Sequence, residues 1–547
     1  MERRPSHIEA RWLLNLAFMT LGRYPAEVPR HLLIPPESFE SEASHEPFRN
    51  IAGEVGLGTV SLSGGAIADD FDGDGRLDIL ASDWSPHGQL RLFRNQGGTF
   101  VDSTADANLE GLYGGLNMIQ ADYDNDGDLD VLVLRGAWLE EVGLSYPNSL
   151  LSNDGKGRFT DVTKAVGLAE THYPTQAAAW ADYDNDGDLD LFIGNEHFPS
   201  QLFRNDGDGS FVDTAVEAGV TNDDFAKAAV WGDYDDDGFP DLYISNFGGL
   251  NRLYRNNGDG TFEDVAFSLG VEAPLRSFPA WFWDFDNDGN LDLFVSGYEW
   301  DVRDVAADHM GLPAISTELD RIYRGSGAGS FEEVGKSMGL TRITQPMGAN
   351  FGDVDNDGFL DFYLGTGYPA YEGLMPNLLF RNEGGNRFFD ISAAAGVGHL
   401  QKGHGVAFLD FDQDGDQDLF VELGGAYAGD VFSNALFENP GTRNGWIMVR
   451  LEGVDSNRSA IGARIRVDIE EQGVSRSIYR WVNSGGSFGA NPLRQHIGLG
   501  SASRVETLEI HWPTTGQTQE FHQIDARQVI ALREGSSEYV VLPYPPT

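Results

Sequence analysis

Asp122-Tyr-Asp124-Asn-Asp126-Gly127-Asp-Leu-Asp130 is one of seven stretches of the form D-x-D-x-D-G-x-x-D in this chain. Three alternating carboxylates, a glycine turn and a fourth carboxylate make the donor set of a hard cation. Calcium takes six to eight oxygens, and positions 1, 3, 5 and 9 can supply carboxylates while position 7 offers its carbonyl. The glycine at position 6 lets the chain turn sharply around an ion. The seven sets are Asp70, Asp72, Asp74 and Asp78; Asp122, Asp124, Asp126 and Asp130; Asp182, Asp184, Asp186 and Asp190; Asp233, Asp235, Asp237 and Asp241; Asp284, Asp286, Asp288 and Asp292; Asp353, Asp355, Asp357 and Asp361; Asp410, Asp412, Asp414 and Asp418. A single copy would be an ordinary Asp-Gly turn. Seven complete copies predict up to seven calcium cages.

The flanks read as strands. An EF-hand requires glutamate at position 12, where this chain has residues such as Val133, Ile244 and Leu364. An apolar run follows each fourth aspartate, as in Val131-Leu132-Val133-Leu134. Before each cage a large residue (Trp180, Trp231, Phe282, Phe351, Phe408) stands two positions from a small or aliphatic one (Ala178, Ala229, Ala280, Ala349, Val406). That period of two places both on one strand face.

The cage starts are separated by 52, 60, 51, 51, 69 and 57 residues, a basic period near 51. Each repeat also carries a Leu-Phe-Arg-Asn stretch or a relative of it (Leu92–Asn95, Leu202–Asn205, Leu253–Asn256, Leu379–Asn382), a Gly-containing turn, and usually a Phe-x-Asp strand. Four short strands per repeat are the content of a propeller blade. The first six repeats end on strands beginning Phe100, Phe159, Phe211, Phe262, Phe331 and Phe388; the seventh has none, while Phe48-Arg-Asn50 precedes the first cage. The N-terminal strand is therefore expected to complete the last blade and close a seven-membered ring, hiding an open sheet edge.

These residues resemble the FG-GAP/VCBS repeats, the calcium-loop blades also found in integrin α-subunit propellers, over roughly residues 46–440. Position 8 departs from the usual apolar plug in Pro240 and Gln417, so those two loops are expected to be less well anchored. After Asn439-Pro-Gly the pattern stops. Trp446–Leu451, Ala463–Val467, Val505–Trp512 and Gln528–Leu532 read as strands of a separate small β-sandwich or barrel-like domain. There Asn457–Arg464, His496-Ile-Gly498-Leu499-Gly500 and Trp512-Pro513 resemble the ASPIC/UnbV domain, which follows FG-GAP repeats in the cartilage acidic protein family. The Gly-Leu-Gly reads as a turn rather than a phosphate cradle, because no helix signal follows it. The expected division is 1–45 helix and linker, 46–440 all-β propeller, and 441–547 ASPIC/UnbV-like domain. The resemblance implies an extracytoplasmic or secreted calcium-binding protein and hands over no reaction.

The formal charge is −49, from 86 acidic and 37 basic residues. Such an excess argues against a nucleic-acid partner, whose footprint is basic, and against adsorption to anionic lipid. With no cysteine there is no disulfide framework, zinc-thiolate site or thiol nucleophile. No apolar run reaches membrane-spanning length. Ala10, Leu14, Ala17, Phe18 and Leu21 share a helical face, which favours a docking helix over a signal peptide.

Strand alternation places the cages on one face of the ring. Irregular, aromatic-rich segments fall on the other: 136–148, 298–321, 367–377 and 424–434, with Trp138, Tyr298, Trp300, Tyr371 and Tyr427 among them. Just before the innermost strands stand Asn117, Gln176, Lys227, Arg276, Gln345, Lys402 and His404, which either converge on a ligand at the channel mouth or line a solvated channel. The leading expectation is a calcium-stabilised scaffold engaging a protein or glycan through the face opposite the cages. The alternative is a propeller-mouth lyase or hydrolase acting on a carbohydrate or small molecule, with His404, Lys227 and Arg276 as acid–base or anion-stabilising groups.

Overall fold

The computed structural model describes residues 7–136, 146–314, 316–483 and 486–544; Trp138 lies outside them. Seven antiparallel sheets repeat one order, inner strand to outer, as in Thr175–Ala181, Asp190–Asn195, Gln201–Asn205 and Phe211–Asp213. The inner strands pack in chain order around a closed ring, the seventh (Gly403–Leu409) against the first (Ala66–Asp69). Each cage is the turn between the inner strand and the next one, so all seven lie at one end of the channel. Cores such as Trp180, Leu191 and Phe211 fill the gaps between neighbouring blades.

The ring closes as the missing seventh Phe-x-Asp strand predicts. Arg49–Asn50 pairs antiparallel with Ala435–Glu438, Arg49 opposite Glu438 and Asn50 opposite Phe437. Phe48 is buried beside Phe437 and Leu419. A second tie follows at Val60–Ser61 with Phe432–Ser433.

From Gly445 onward two four-stranded sheets form a sandwich over a core that includes Ile447, Ile465, Leu508, Ile510 and Trp512. Gly498 and Gly500 belong to the strand Gln495–Gly500, not to a turn, and no helix follows. Nor is this domain separate from the ring. It caps the cage face and sends the segment 486–493 into the channel. Ser487 and Ala349 exchange backbone hydrogen bonds at 2.8 and 3.0 Å, and Gly489–Ala490 pairs parallel with the inner strand of the first blade. Asn491 accepts from the Phe408 amide (2.8 Å) and the Asn350 side chain (2.8 Å), and donates to the Phe351 carbonyl (2.8 Å). A Cβ on Gly486 or Gly489 would strike the backbone of Ala349 or Val406, so only glycine passes there.

On the opposite face the helix Ile8–Thr20 packs on the helix Val302–His309. The Trp12 indole donates to the Leu374 carbonyl at 2.9 Å, and Asn15 bonds the backbone of Leu32 and Ile34. Docking is as expected, but the face differs: Trp12, Asn15 and Leu16 are buried, whereas Ala17 and Leu21 face solvent. This helix is apolar on most sides, so periodicity alone does not select the buried one. Among the described residues no helix is long and apolar enough to cross a membrane.

Candidate metal centres

All seven loops share one hydrogen-bond plan. The position 1 carboxylate accepts two loop amides, those of positions 5 and 6: Asp122 from Asp126 (3.0 Å) and Gly127 (2.8 Å), Asp353 from Asp357 (3.0 Å) and Gly358 (2.9 Å). The position 9 carboxylate opens the next strand and accepts the amide that ends the third strand, as Asp130 does from Asn153 and Asp190 from Asn205, both at 2.8 Å. These bonds fix the carboxylates before any ion arrives. Within at least five of the sets three aspartates bring one oxygen each to within 4.8 Å of one another, among them Asp182, Asp184 and Asp190.

Position 3 provides the test of cation fit. Asp72, Asp184, Asp235, Asp286 and Asp355 each hold a buried Oδ1 with no hydrogen-bond partner. A buried acceptor left unsatisfied is costly. A cation inside the loop would satisfy it, and the donor set is all oxygen, as calcium requires. Electrostatics points the same way. Burial, reinforced by neighbouring carboxylates, pushes Asp130 and Asp241 up to about 9 and Asp78 up to about 8, and holds Asp190, Asp292, Asp361 and Asp418 well above the usual carboxylate range. Four charges cannot coexist in so small a space without a counter-ion.

The Leu-Phe-Arg-Asn signature has a role that spacing alone does not reveal. Its asparagine reaches across to the neighbouring blade and donates to the position 2 carbonyl of that cage: Asn153 to Phe71, Asn205 to Tyr123, Asn256 to Tyr183, Asn382 to Phe285 and Asn439 to Val354, at 2.7–2.9 Å. The fifth repeat has Gly325 there and lacks the bond. Substitution Asn205→Ala should cost about 2 kcal/mol in chemical denaturation, since it strands buried carbonyls. The same change at the exposed Asn257 should cost under about 0.5 kcal/mol.

Position 4 links the cages sideways. Asn125, Asn185, Asn287 and Asn356 adopt a left-handed backbone (φ 56–58°) and donate to the position 6 carbonyl of the next loop at 2.8–3.2 Å. Gln417 is not a weak plug: it accepts the Asp353 amide at 2.7 Å, tying the seventh loop to the sixth. The second domain touches every loop. Leu493 donates to Asp69 beside the first cage (3.0 Å), Ser459 accepts from Asp122 (2.9 Å), Thr514 donates to Asp182 (2.6 Å), Arg464 pairs with Asp236 (3.4 Å), Tyr479 donates to Asn287 (3.1 Å), Gly498 to Asp353 (3.2 Å), and the Tyr544 hydroxyl to Asp410. Partners of this kind orient the residues that would hold an ion.

Residues 70–133, 142–193, 182–244, 233–295 and 284–364, just over half of the chain, match the FG-GAP-like repeat. The chain belongs to that family. Residues 453–539 match the ASPIC and UnbV family, so the FG-GAP ring carries the cap that its sequence resembles. Cartilage acidic protein 1 of mouse is 26% identical over 327 residues, covering 55% of this chain and 48% of that protein. The human protein of the same name is also 26% identical, with 47% of its length covered. The chain thus spans about half the length of the curated relatives it matches. Among solved structures, the BP39L lectin from Burkholderia pseudomallei aligns with a TM-score of 0.42 and 12% identity, over 70% of this chain and 97% of the lectin.

At the other mouth of the FG-GAP ring, Gln176, Lys227 and His404 converge on a space of about 20 Å³, room for roughly one water. Lys227 donates to Gln176 at 2.7 Å and lies over the Phe225 and Phe278 rings; burial lowers it to about 8. His404 faces the Gly64 carbonyl at 2.8 Å and packs edge-on against Phe488 of the inserted segment; burial lowers it to about 4. Asn117 donates to the Gln176 carbonyl and Gln345 to the Asp301 carbonyl, both at 2.9 Å. Lys402 is paired with Asp430, and Arg276 with Glu299. The seven polar residues are thus held by protein partners, and only three of them share a space.

Proposed function

We propose that this chain is a calcium-loaded extracytoplasmic scaffold that engages a protein or glycan partner through the face opposite the cages. The orphaned position 3 carboxylate oxygens in five cages carry the calcium reading. The carboxylates of positions 1, 3, 5 and 9 would hold the ion with the position 7 carbonyl, and the ion would supply the positive charge that four buried aspartates lack. Loops that only stabilise a fold work where calcium stands near millimolar, which favours a compartment outside the cytoplasm. Equilibrium dialysis against calcium should give a stoichiometry approaching seven per chain; a value near zero would end this reading.

The face assignment rests on what is left uncovered. The second domain caps the cages, whereas the opposite face presents Trp300 (49% exposed), Tyr371 (58%) and Tyr427 (47%). Trp300 is stacked on Phe247 at 5.5 Å, and Tyr371 meets Tyr427 at 5.8 Å, so each is held rigid at low entropic cost. Aromatic side chains of this kind dominate binding energy at interfaces. Ligand capture from a glycan array or an extracellular-protein library should fall about 30-fold in Trp300→Ala or Tyr371→Ala, matching a loss of about 2 kcal/mol, with the melting temperature unchanged. Captured ligands indifferent to both substitutions would place the partner site elsewhere.

A further inference from the structure

A cavity of about 410 Å³ lies between the ring and the second domain, apart from the mouth on the other face. Its floor comes from the inner strands Thr175–Ala181, Ala226–Gly232 and Ser277–Trp283, and its roof from the region around Ile461, Trp481 and Pro513. The small side chains of Ala178, Ala179 and Ala229 leave the space; the half-buried Trp231 and Trp481 border it, with Trp180 and Trp281 buried in the blade cores beside it. The roof includes residues of the ASPIC/UnbV-like motifs: Ile461, Gly462 and Arg464 from one, Pro513 from another.

Size limits the occupant. One turn of a helix, ~10 Å across and 5.4 Å long, would by itself fill about 400 Å³. More than one turn of a peptide helix therefore does not fit, while the volume falls inside the range of small-molecule sites. The space opens to solvent at an edge that carries Asp182, Asp233, Asp236, Arg464 and His511, so an occupant can enter with its apolar part inward and its polar end at the rim.

The polar groups at the edge determine which end of an occupant sits there. Asp182 already accepts the Thr514 hydroxyl and two loop amides, and Asp233 accepts two loop amides. Arg464, by contrast, has one side-chain partner among the described residues, the exposed Asp236 at 3.4 Å, and a guanidinium carries five N–H donors. His511 beside it has, among the described residues, one side-chain hydrogen-bond partner, Thr518 through Nδ1 at 3.4 Å, and burial together with the Arg464 charge keeps its pKa below the usual value. The edge therefore has donors to spare. We propose that this cavity binds a small amphipathic carboxylate, its aromatic or alicyclic body against Trp231 and Trp481 and its carboxylate on Arg464.

The test uses the full, calcium-saturated chain and a matched pair of probes, 1-naphthylacetate and its neutral amide 1-naphthylacetamide, followed by isothermal titration calorimetry. One saturable site is expected, with the carboxylate bound about 10-fold more tightly than the amide, as a charge-assisted contact predicts. Filling the space with Ala179→Phe should abolish binding of both while the melting temperature holds or rises. If that variant does not fold, Ala229→Leu serves the same purpose. In Arg464→Gln both probes should bind with a ratio near one. Absence of saturable binding to the parent chain, unchanged binding in a folded cavity-filled variant, or a 10-fold preference that survives in Arg464→Gln would each overturn the proposal.

Discussion

Excess chelator should lower the melting temperature by at least about 10 °C and should melt ring and cap in one transition. With a dissociation constant of ~0.1 mM and ~1 mM free calcium, each site adds about 1.4 kcal/mol to the folded state. Seven sites give ~10 kcal/mol, comparable to the whole stability of a typical domain. An unfolding entropy of roughly 2.1 cal/mol/K per residue converts that to about 9 °C for a chain this long. Repulsion in the emptied cages adds to it. One transition is expected because the cap is bonded to the loops themselves, through Thr514 to Asp182, Gly498 to Asp353 and Tyr544 to Asp410. Asp126→Ala, which weakens a single cage, should shift the midpoint by only a degree or two on the same scale. A calorimetric trace unchanged by chelator would mean that the loops are polar turns and nothing more.

The pH dependence of stability should change sign with calcium. In the unfolded chain the aspartates titrate near 3.8; in the ion-free fold burial first, and neighbouring charge second, raise Asp122 to about 7 and Asp130 and Asp241 to about 9. Between those values the folded state holds more protons than the unfolded one, so stability falls as pH rises. The contribution is fully present below about pH 4 and is lost progressively up to about pH 9, with a slope of about 1.4 kcal/mol per pH unit for every proton retained only in the fold. With calcium bound the protons are displaced, and binding weakens as pH falls because protons compete for the same oxygens. Melting temperatures measured from pH 5 to 9 should therefore decline in chelator and climb in calcium. Parallel curves would contradict the assignment of these carboxylates to a cation.

The ring was legible because its signals are local and repeated. Asp-x-Asp-x-Asp-Gly fixes a turn, the paired small and large residues before it fix a strand face, and the unmatched Phe48 gives the closure. The cap was half legible: Trp446–Leu451 and Val505–Trp512 alternate cleanly, whereas Thr518–Asp525 is mostly polar and Val474–Trp481 alternates weakly, and neither reads as a strand. Its position on the cages left no trace in sequence, since many of the contacts are backbone amides of Leu493, Tyr479 and Gly498, which any residue but proline provides. The polar residues of the mouth illustrate a different limit. Lys227 and His404 fall at equivalent places in their repeats, yet sequence cannot reveal that Phe488, more than 80 residues beyond His404, packs edge-on against that imidazole. The cavity beneath Trp481 was illegible for the same reason, because its floor and roof come from different domains.

The tie between Arg49–Asn50 and Ala435–Glu438 has a consequence for how the protein is made. Closing a loop of that length costs about 5 kcal/mol in chain entropy, and no local contact offsets it in advance. As the chain emerges from its N-terminus, early blades can form from neighbours in sequence, but the seventh sheet waits for a partner made at the start. Until Gly489–Ala490 arrives, the inner edge of the first blade also stands open. Two edges that still await their partner strand then coexist on a nearly finished molecule, and either can accept the matching strand of a second chain. Slow production in dilute conditions should thus favour closed monomers, and crowded refolding should yield dimers that have exchanged their N-terminal strands.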